Sequence, residues 1–285
     1  MDKHTIQLKE ALEKLYVKYN RRELIRPDPL QFAYRYSTQG DMEIAALLAA
    51  TLAYGRVEQI EKTLDNLFGR MGKSLYEFVR NFGSSQRQQL LDFKHRFTEG
   101  KDICDLLELL KLVYEKNNSI ENHFLSGYNE ADDNIISALG RFCDSLLATH
   151  SARHKTVPGR GLRYLLAGPS AGGASKRLNL FLRWMVRDDN VDLGLWKSID
   201  KAKLIVPMDV HIFRVSRMLG FCRRKNISLK AAVEVTENFA KIEPDDPVKY
   251  DFALSRIGII EQCSGRYRPA CEKCELLEFC LRREN

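Results

Sequence analysis

"LIVPMDVHIFRVSRMLGF", residues 204–221, joins a short extended run to a helical one. Only about 205–207 reads as extended, which is too short to build a sheet. From Asp209 onward the apolar residues recur at three- and four-residue spacing, so the chain turns into an amphipathic helix. Asp209 stands at the joint, with Pro207 two residues before it and His211 two after. A short carboxylate there accepts hydrogen bonds from the first free backbone amides, so the expected local role of Asp209 is a helix cap.

The same spacing recurs on both sides of this stretch. Residues 4–20, 41–54, 57–71, 101–116, 131–149, 175–187, 209–220, 228–241 and 247–260 all carry apolar positions one helical turn apart. "RPDPL" (26–30), "GDME" (40–43), "KTVPGRG" (155–161), "AGPSAGG" (167–173) and "EPDDP" (243–247) punctuate them as loops. The fold expected is all-α.

The 285 residues can bury a substantial core in one large domain or two ordinary ones. The N-terminus mixes charges with helical apolar spacing and does not resemble a signal peptide, and no apolar run approaches ~18 residues. A cytoplasmic location is therefore expected, with no membrane partner. Net charge is +7. From Ser151 to Arg187 the chain carries Arg153, Lys155, Arg160, Arg163, Lys176, Arg177, Arg183 and Arg187 with no Asp or Glu among them. Such a run is either a solvated face or a phosphate-binding surface.

Cys104, Cys143 and Cys222 are isolated on or beside helical patterns and read as small core residues. The other four differ. Cys263, Cys271, Cys274 and Cys280 fall at C-x7-C-x2-C-x5-C near the end of the chain. A reducing compartment disfavours two disulfides, so a metal centre is expected. One close pair flanked by two single cysteines favours a [4Fe–4S] cluster over the alternative, structural zinc, which usually takes two close pairs. Arg266 and Arg268 in the first loop of the motif hint that it shapes a phosphate-facing surface.

A compact four-cysteine loop closing an all-α chain, preceded by "PMDVHIFRV", resembles the helix-hairpin-helix DNA glycosylase superfamily. The opening of that motif is like the 8-oxoguanine glycosylases and "HIFRV" is like endonuclease III, the iron–sulfur branch. The resemblance is strongest over 204–221 and 263–280. The whole pattern, with "SKRLNLFLRWMVR", looks most like a bacterial family of glycosylase-like proteins with no assigned substrate. By this likeness Asp209 is the catalytic carboxylate. The superfamily's hairpin, L-P-G-V-G-x-K-T-A, corresponds to "SAGGASKRLNLFLRW". That places Gly172 on the first glycine and Lys176 on the nucleophilic lysine, with Ala174 where the second glycine would stand. "EIAALLAATLAYGRVEQIEKTL" (43–64) is similar to the first barrel helices, with Gly55 in place of a polar residue that probes the DNA stack.

The resemblance implies two helical lobes with a cleft between them. Residues 41–204 would form a helical barrel containing the hairpin; 1–40 and 205–285 would form the lobe with the cluster loop. Lys176 would come from the first and Asp209 from the second. A monomer acting on double-stranded DNA with a damaged base is expected. The reaction implied is base excision by a DNA glycosylase, with AP-lyase activity through a lysine Schiff base and oxidised purines as the candidate substrate. The alternative is a non-catalytic nucleic-acid-binding protein on the same scaffold. Gly172 and Gly173, at the start of the Lys176 helix, would let a phosphate approach backbone amides. Arg177, His211 and Arg214 are the further candidates for DNA contact, and Tyr54, Trp184 and Trp196 the aromatics that could stack on an extruded base.

Overall fold

The computed structural model describes residues 2–281, and its regular structure is helical apart from one two-stranded hairpin and an isolated bridge between Asp188 and Leu193. The all-α expectation holds. The chain divides into two compact units. One contains residues up to Leu24 together with those from Gly172 onward; the other runs from Ile25 to Ala171. The crossings therefore lie at 24/25 and 171/172, whereas the sequence suggested 40/41 and 204/205. Lys176 and Asp209 consequently belong to the same unit.

The first unit opens with α1 (Lys3–Tyr19). In the 25–171 unit a 3-10 turn over Pro29–Arg35 leads into α2 (Gln39–Thr51). Every residue from Ile44 to Thr51 is buried, so α2 is the core helix of this unit. "GDME" lies inside its first turn and not in a loop, because Thr38 caps the helix by accepting from the Asp41 amide. Then follow α3 (Val57–Met71), α4 (Leu75–Arg80), α5 (Ser84–Leu90), the hairpin β1 (Lys94–His95) with β2 (Thr98–Glu99), α6 (Gly100–Asn117), α7 (Ile120–Leu125), α8 (Ile136–His154) and α9 (Arg160–Leu165). The strands pair antiparallel, Lys94 opposite Glu99 and His95 opposite Thr98.

The chain re-enters the first unit at Gly172 and forms α10 (Lys176–Val186), α11 (Val210–Met218), α12 (Leu229–Ala240) and α13 (Asp251–Ile259). Buried ion pairs from α10 to α13 and to the 243–250 turn explain why α10 belongs here: Arg183 pairs with Asp251, and Arg187 with Asp246. Among the described residues no helix is long and apolar enough to cross a membrane.

Candidate functional site

Residues 204–208 are extended and buried, and the Val206 amide donates to Thr236 Oγ1 of α12 at 3.0 Å. Pro207 has no amide to satisfy, which suits it to this position. The segment delivers Asp209 to the start of α11. There Asp209 Oδ1 accepts from the His211 amide at 2.9 Å and the Ile212 amide at 2.8 Å. The expected cap is present, and it aims a half-buried carboxylate in one direction while leaving Oδ2 outside the cap.

Beside it lies a charged ladder that sequence reading missed. Asp251, the first residue of α13, is buried, and Arg183 donates to its Oδ2. Its Oδ1 is buried without a hydrogen-bond partner. Burial pushes this carboxyl up to about 6; Arg183 pulls it down, while the negative charges of Asp209 and Asp192 add to the rise. Arg183 also reaches Asp192 through Nε at 3.1 Å. Arg187 binds Asp246 at 3.0 Å, Asp189 at 2.8 Å and Asp192. Those three carboxylates outweigh burial and hold Arg187 in its charged form.

Two of the eight bases in the 151–187 run are therefore buried structural cations and offer no phosphate-facing surface: Arg183 is 2 % and Arg187 3 % exposed. Their acids lie just past the end of the run, at 189 and 192, and some 60 residues on, so a window over the bases alone could not reveal them. "RDDNVD" (187–192) was the available signal. Arg153 is also engaged, with Glu108 at 2.6 Å. Lys155, Arg160 and Arg163 are exposed in the 25–171 unit.

Lys176 begins α10 and is half-buried, as is Arg177. The loop before it carries Gly172 at φ +79 and Ser175 at φ +48, so left-handed backbone occurs at the first glycine and at Ser175, while Ala174 is buried. Gly172 and Gly173 are exposed, and a Cβ on either would meet nothing within 4 Å. No side chain caps α10; Ser175 Oγ is buried and without a partner, and Asn179 instead ties the loop by donating to the Ala174 carbonyl at 3.1 Å. The first amides of α10 thus end in an electropositive, open loop.

Lys176 and Arg183 are seven residues apart, two turns along one face of α10. From α10 the ion pair runs from Arg183 to Asp251, and the negative charge of Asp209 raises the Asp251 carboxyl without a hydrogen bond joining the two carboxylates. Among the described residues no hydrogen bond or ion pair joins Lys176 directly to Asp209.

The remaining candidates fall elsewhere. Arg214, a candidate for DNA contact, donates to the Cys263 carbonyl at 2.7 Å and braces the cysteine loop. The His211 ring is wedged against α13: a Cβ at Gly258 would lie 2.2 Å from its Nδ1. Trp184 and Trp196 are fully buried, the latter edge-on to Phe181. Tyr54 stacks on Phe97, and its hydroxyl donates to Thr98 Oγ1 at 2.6 Å. These aromatics are packing residues, as helical spacing usually means.

After α13 the Cys263 amide donates to the Ile257 carbonyl, 3-10 turns over Pro269–Lys273 and Leu277–Phe279 carry the chain past Cys271, Cys274 and Cys280, and the Leu281 amide closes onto the Met218 carbonyl at 2.8 Å. Cys263, Cys271, Cys274 and Cys280 all line one cavity of about 40 Å³, walled by Val215, Leu219 and Ile257 among others. One water needs ~10–15 Å³, so the space suits a group larger than a single atom. Burial pushes the Cys274 thiol up, and Glu275, Cys263 and Cys271 add to this. Among the described residues no three His, Cys, Asp or Glu side chains are placed to hold a metal ion; the four thiols surround a cavity. Lys18 of α1 pairs with Glu275 at 3.1 Å and Tyr19 donates to Glu261, so the loop is anchored at both flanks. Cys104, Cys143 and Cys222 are buried, as expected of core residues, and burial raises all three thiols, Cys104 to about 11 and Cys143 to about 12.

A family model described as "Protein of unknown function (DUF2400)" matches residues 28–260, ending just before the first of the four loop cysteines. No curated protein and no solved structure matches the chain.

Proposed function

From the premise that this chain belongs to the DUF2400 family, whose function is unknown, we propose that it is a DNA N-glycosylase of the helix-hairpin-helix type, with lyase activity through Lys176. The observation that carries the reading is the directed carboxylate of Asp209, held by the His211 and Ile212 amides, in the same unit as the helix that begins with Lys176.

A base stacked in a duplex cannot be reached, so the target nucleotide must rotate out. The open glycines and uncapped amides at the start of α10 suit a backbone phosphate. Lys176 Nζ, as the free amine, then attacks C1′ of the deoxyribose. The Nζ–C1′ bond forms as the glycosidic bond breaks, and the base leaves with the bonding pair and takes up a proton. Ring opening at C1′–O4′ leaves an imine; loss of a C2′ proton then expels the 3′ phosphate. Asp209 stabilises the positive charge growing on the sugar and accepts the proton lost by Lys176. The amides of His211 and Ile212 hold the carboxylate in place for both tasks, which is how capping and catalysis coincide in one residue.

Cys263, Cys271, Cys274 and Cys280, which line one cavity, would hold a [4Fe–4S] cluster, and the single close pair flanked by two lone cysteines favours this over zinc. Bound there, it would cross-link a stretch that otherwise has only short 3-10 turns to order it. Oxidised purines remain the candidate substrate.

A non-catalytic nucleic-acid-binding protein is the second reading, favoured by Ala174 in place of a glycine and by the lack of a direct Lys176–Asp209 bond among the described residues. Borohydride trapping against a panel of lesion-bearing duplexes separates the two. The enzyme gives a reduced covalent adduct that disappears in Lys176→Ala, while Asp209→Asn slows its formation by ~10²–10⁴. Duplex binding with no adduct and no base release on any substrate would leave the binding protein.

A further inference from the structure

The outer face of α11 is built unlike its inner one. Ile212, Val215 and Ser216 are buried, whereas Val210, Phe213, Arg214 and Arg217, spaced three and four residues apart, face outward. They line a groove of about 790 Å³ that runs from beside Asp209 to the turn after α11, with Ser264 and Gly265 of the first cysteine turn on its other side. Its apolar surface is open: Val210 is 58 %, Ile227 39 % and Leu281 68 % exposed.

The charge of this face is one-sided. Residues 214–230, "RVSRMLGFCRRKNISLK", hold six bases and no acid. Arg224 is paired with Glu234 and Arg214 is spent on the Cys263 carbonyl. The guanidinium groups of Arg217 and Arg223, both exposed and both lining the groove, form no ion pair among the described residues, although the Arg223 amide donates to Glu234 Oε1 at 2.9 Å, and Lys225 stands exposed beside them. Arg217 lies over the Phe213 ring, 5.9 Å from its centroid.

We propose that this groove takes an unpaired nucleic-acid strand, one that enters or leaves beside Asp209. A duplex presents phosphates, sugars and the edges of its bases, but keeps the base faces stacked inside, so an aromatic floor would have no face to stack on. A single strand presents both phosphates and base faces, and guanidinium forks with an aromatic ring match that pair. An acidic polypeptide would satisfy the arginines but gains little from Phe213 as a stacking platform. The inference rests on the nucleic-acid reading above, though not on turnover by Lys176.

The test is fluorescence anisotropy with the full-length protein, using a labelled single-stranded oligonucleotide, a blunt duplex of the same sequence, and polyglutamate. The single strand should bind tightest. Arg217→Ala/Arg223→Ala should weaken it about tenfold and flatten the slope of log affinity against log salt by ~1.4, two phosphate contacts' worth. Phe213→Leu should weaken it severalfold with the slope unchanged, since only a stacking face is lost. Circular dichroism and thermal melts confirm that each variant folds. Wild-type single-strand binding that both variants retain in full would overturn the groove and spare the nucleic-acid reading. Polyglutamate binding tighter than the oligonucleotide, and lost in the arginine variant, would replace the strand with an acidic protein. Failure of the wild type to bind either form of DNA would overturn both readings together.

Discussion

Asp251→Asn tests the buried carboxyl that pairs with Arg183 of α10. In the folded chain the Asp251 carboxyl is raised to about 6 from the ordinary 3.8, chiefly because it is buried, and one of its oxygens has no donor. A group raised in this way contributes stability that is fully present below about pH 4 and is lost as pH climbs through 6, because between those values the native state holds the proton more tightly than the unfolded one. The difference is worth ~3 kcal/mol. Asparagine cannot titrate, so the variant lacks that loss. Its stability relative to wild type should therefore rise by about 2 kcal/mol between pH 4 and pH 7, whatever constant offset follows from changing the contact with Arg183. Carboxyls held low by partners, such as Glu13, Glu108 and Asp189, pull in the opposite direction in both proteins and cancel in the comparison. Urea unfolding at half-unit pH steps, with slopes checked for constancy, reads the effect directly. Parallel stability profiles for the two proteins over that range would refute the assignment of a raised, buried carboxyl to Asp251.

Three further outcomes are expected. Gly258→Ala drives a methyl into the His211 ring and should cost about 1–3 kcal/mol in unfolding experiments; His211→Ala in the same chain should recover most of it, and two additive losses would show that the contact is not the cause. Gly173→Ala should leave the melting temperature within a degree or two, since a Cβ there meets open space, yet weaken duplex binding severalfold; an equal loss of stability would place the glycine in packing instead. Anaerobically purified protein should carry about four irons per chain and absorb near ~400 nm, and Cys274→Ser should lose both the iron and several degrees of melting temperature; stoichiometric zinc in the wild type would overturn the cluster.

The long helices were legible because their evidence is local. Apolar residues one turn apart in 4–20, 57–71 or 228–241 name a buried stripe without reference to anything distant. α4, α5, α7 and α9 went unread because a helix of six or seven residues shows at most two turns of that period, and Ser74 and Ser119, which cap two of them, look like ordinary loop residues until their bonds to Glu77 and Asn122 are seen. Asp209 and the four cysteines were likewise visible, since a cap and a thiol spacing are written in consecutive residues.

What the tertiary structure alone decided concerns charge and company. Arg183 and Arg187 read as surface cations because their neighbours in sequence are bases, and became buried ion-pair members because folding brings Asp246 and Asp251 to them from some 60 residues away. Arg214 read as a candidate for DNA contact beside Asp209, and turned out to hold Cys263, 49 residues later. Helical periodicity specifies which face of a segment leaves water; it carries no information on which other segment covers that face, and the energy of a buried charge depends entirely on that second fact.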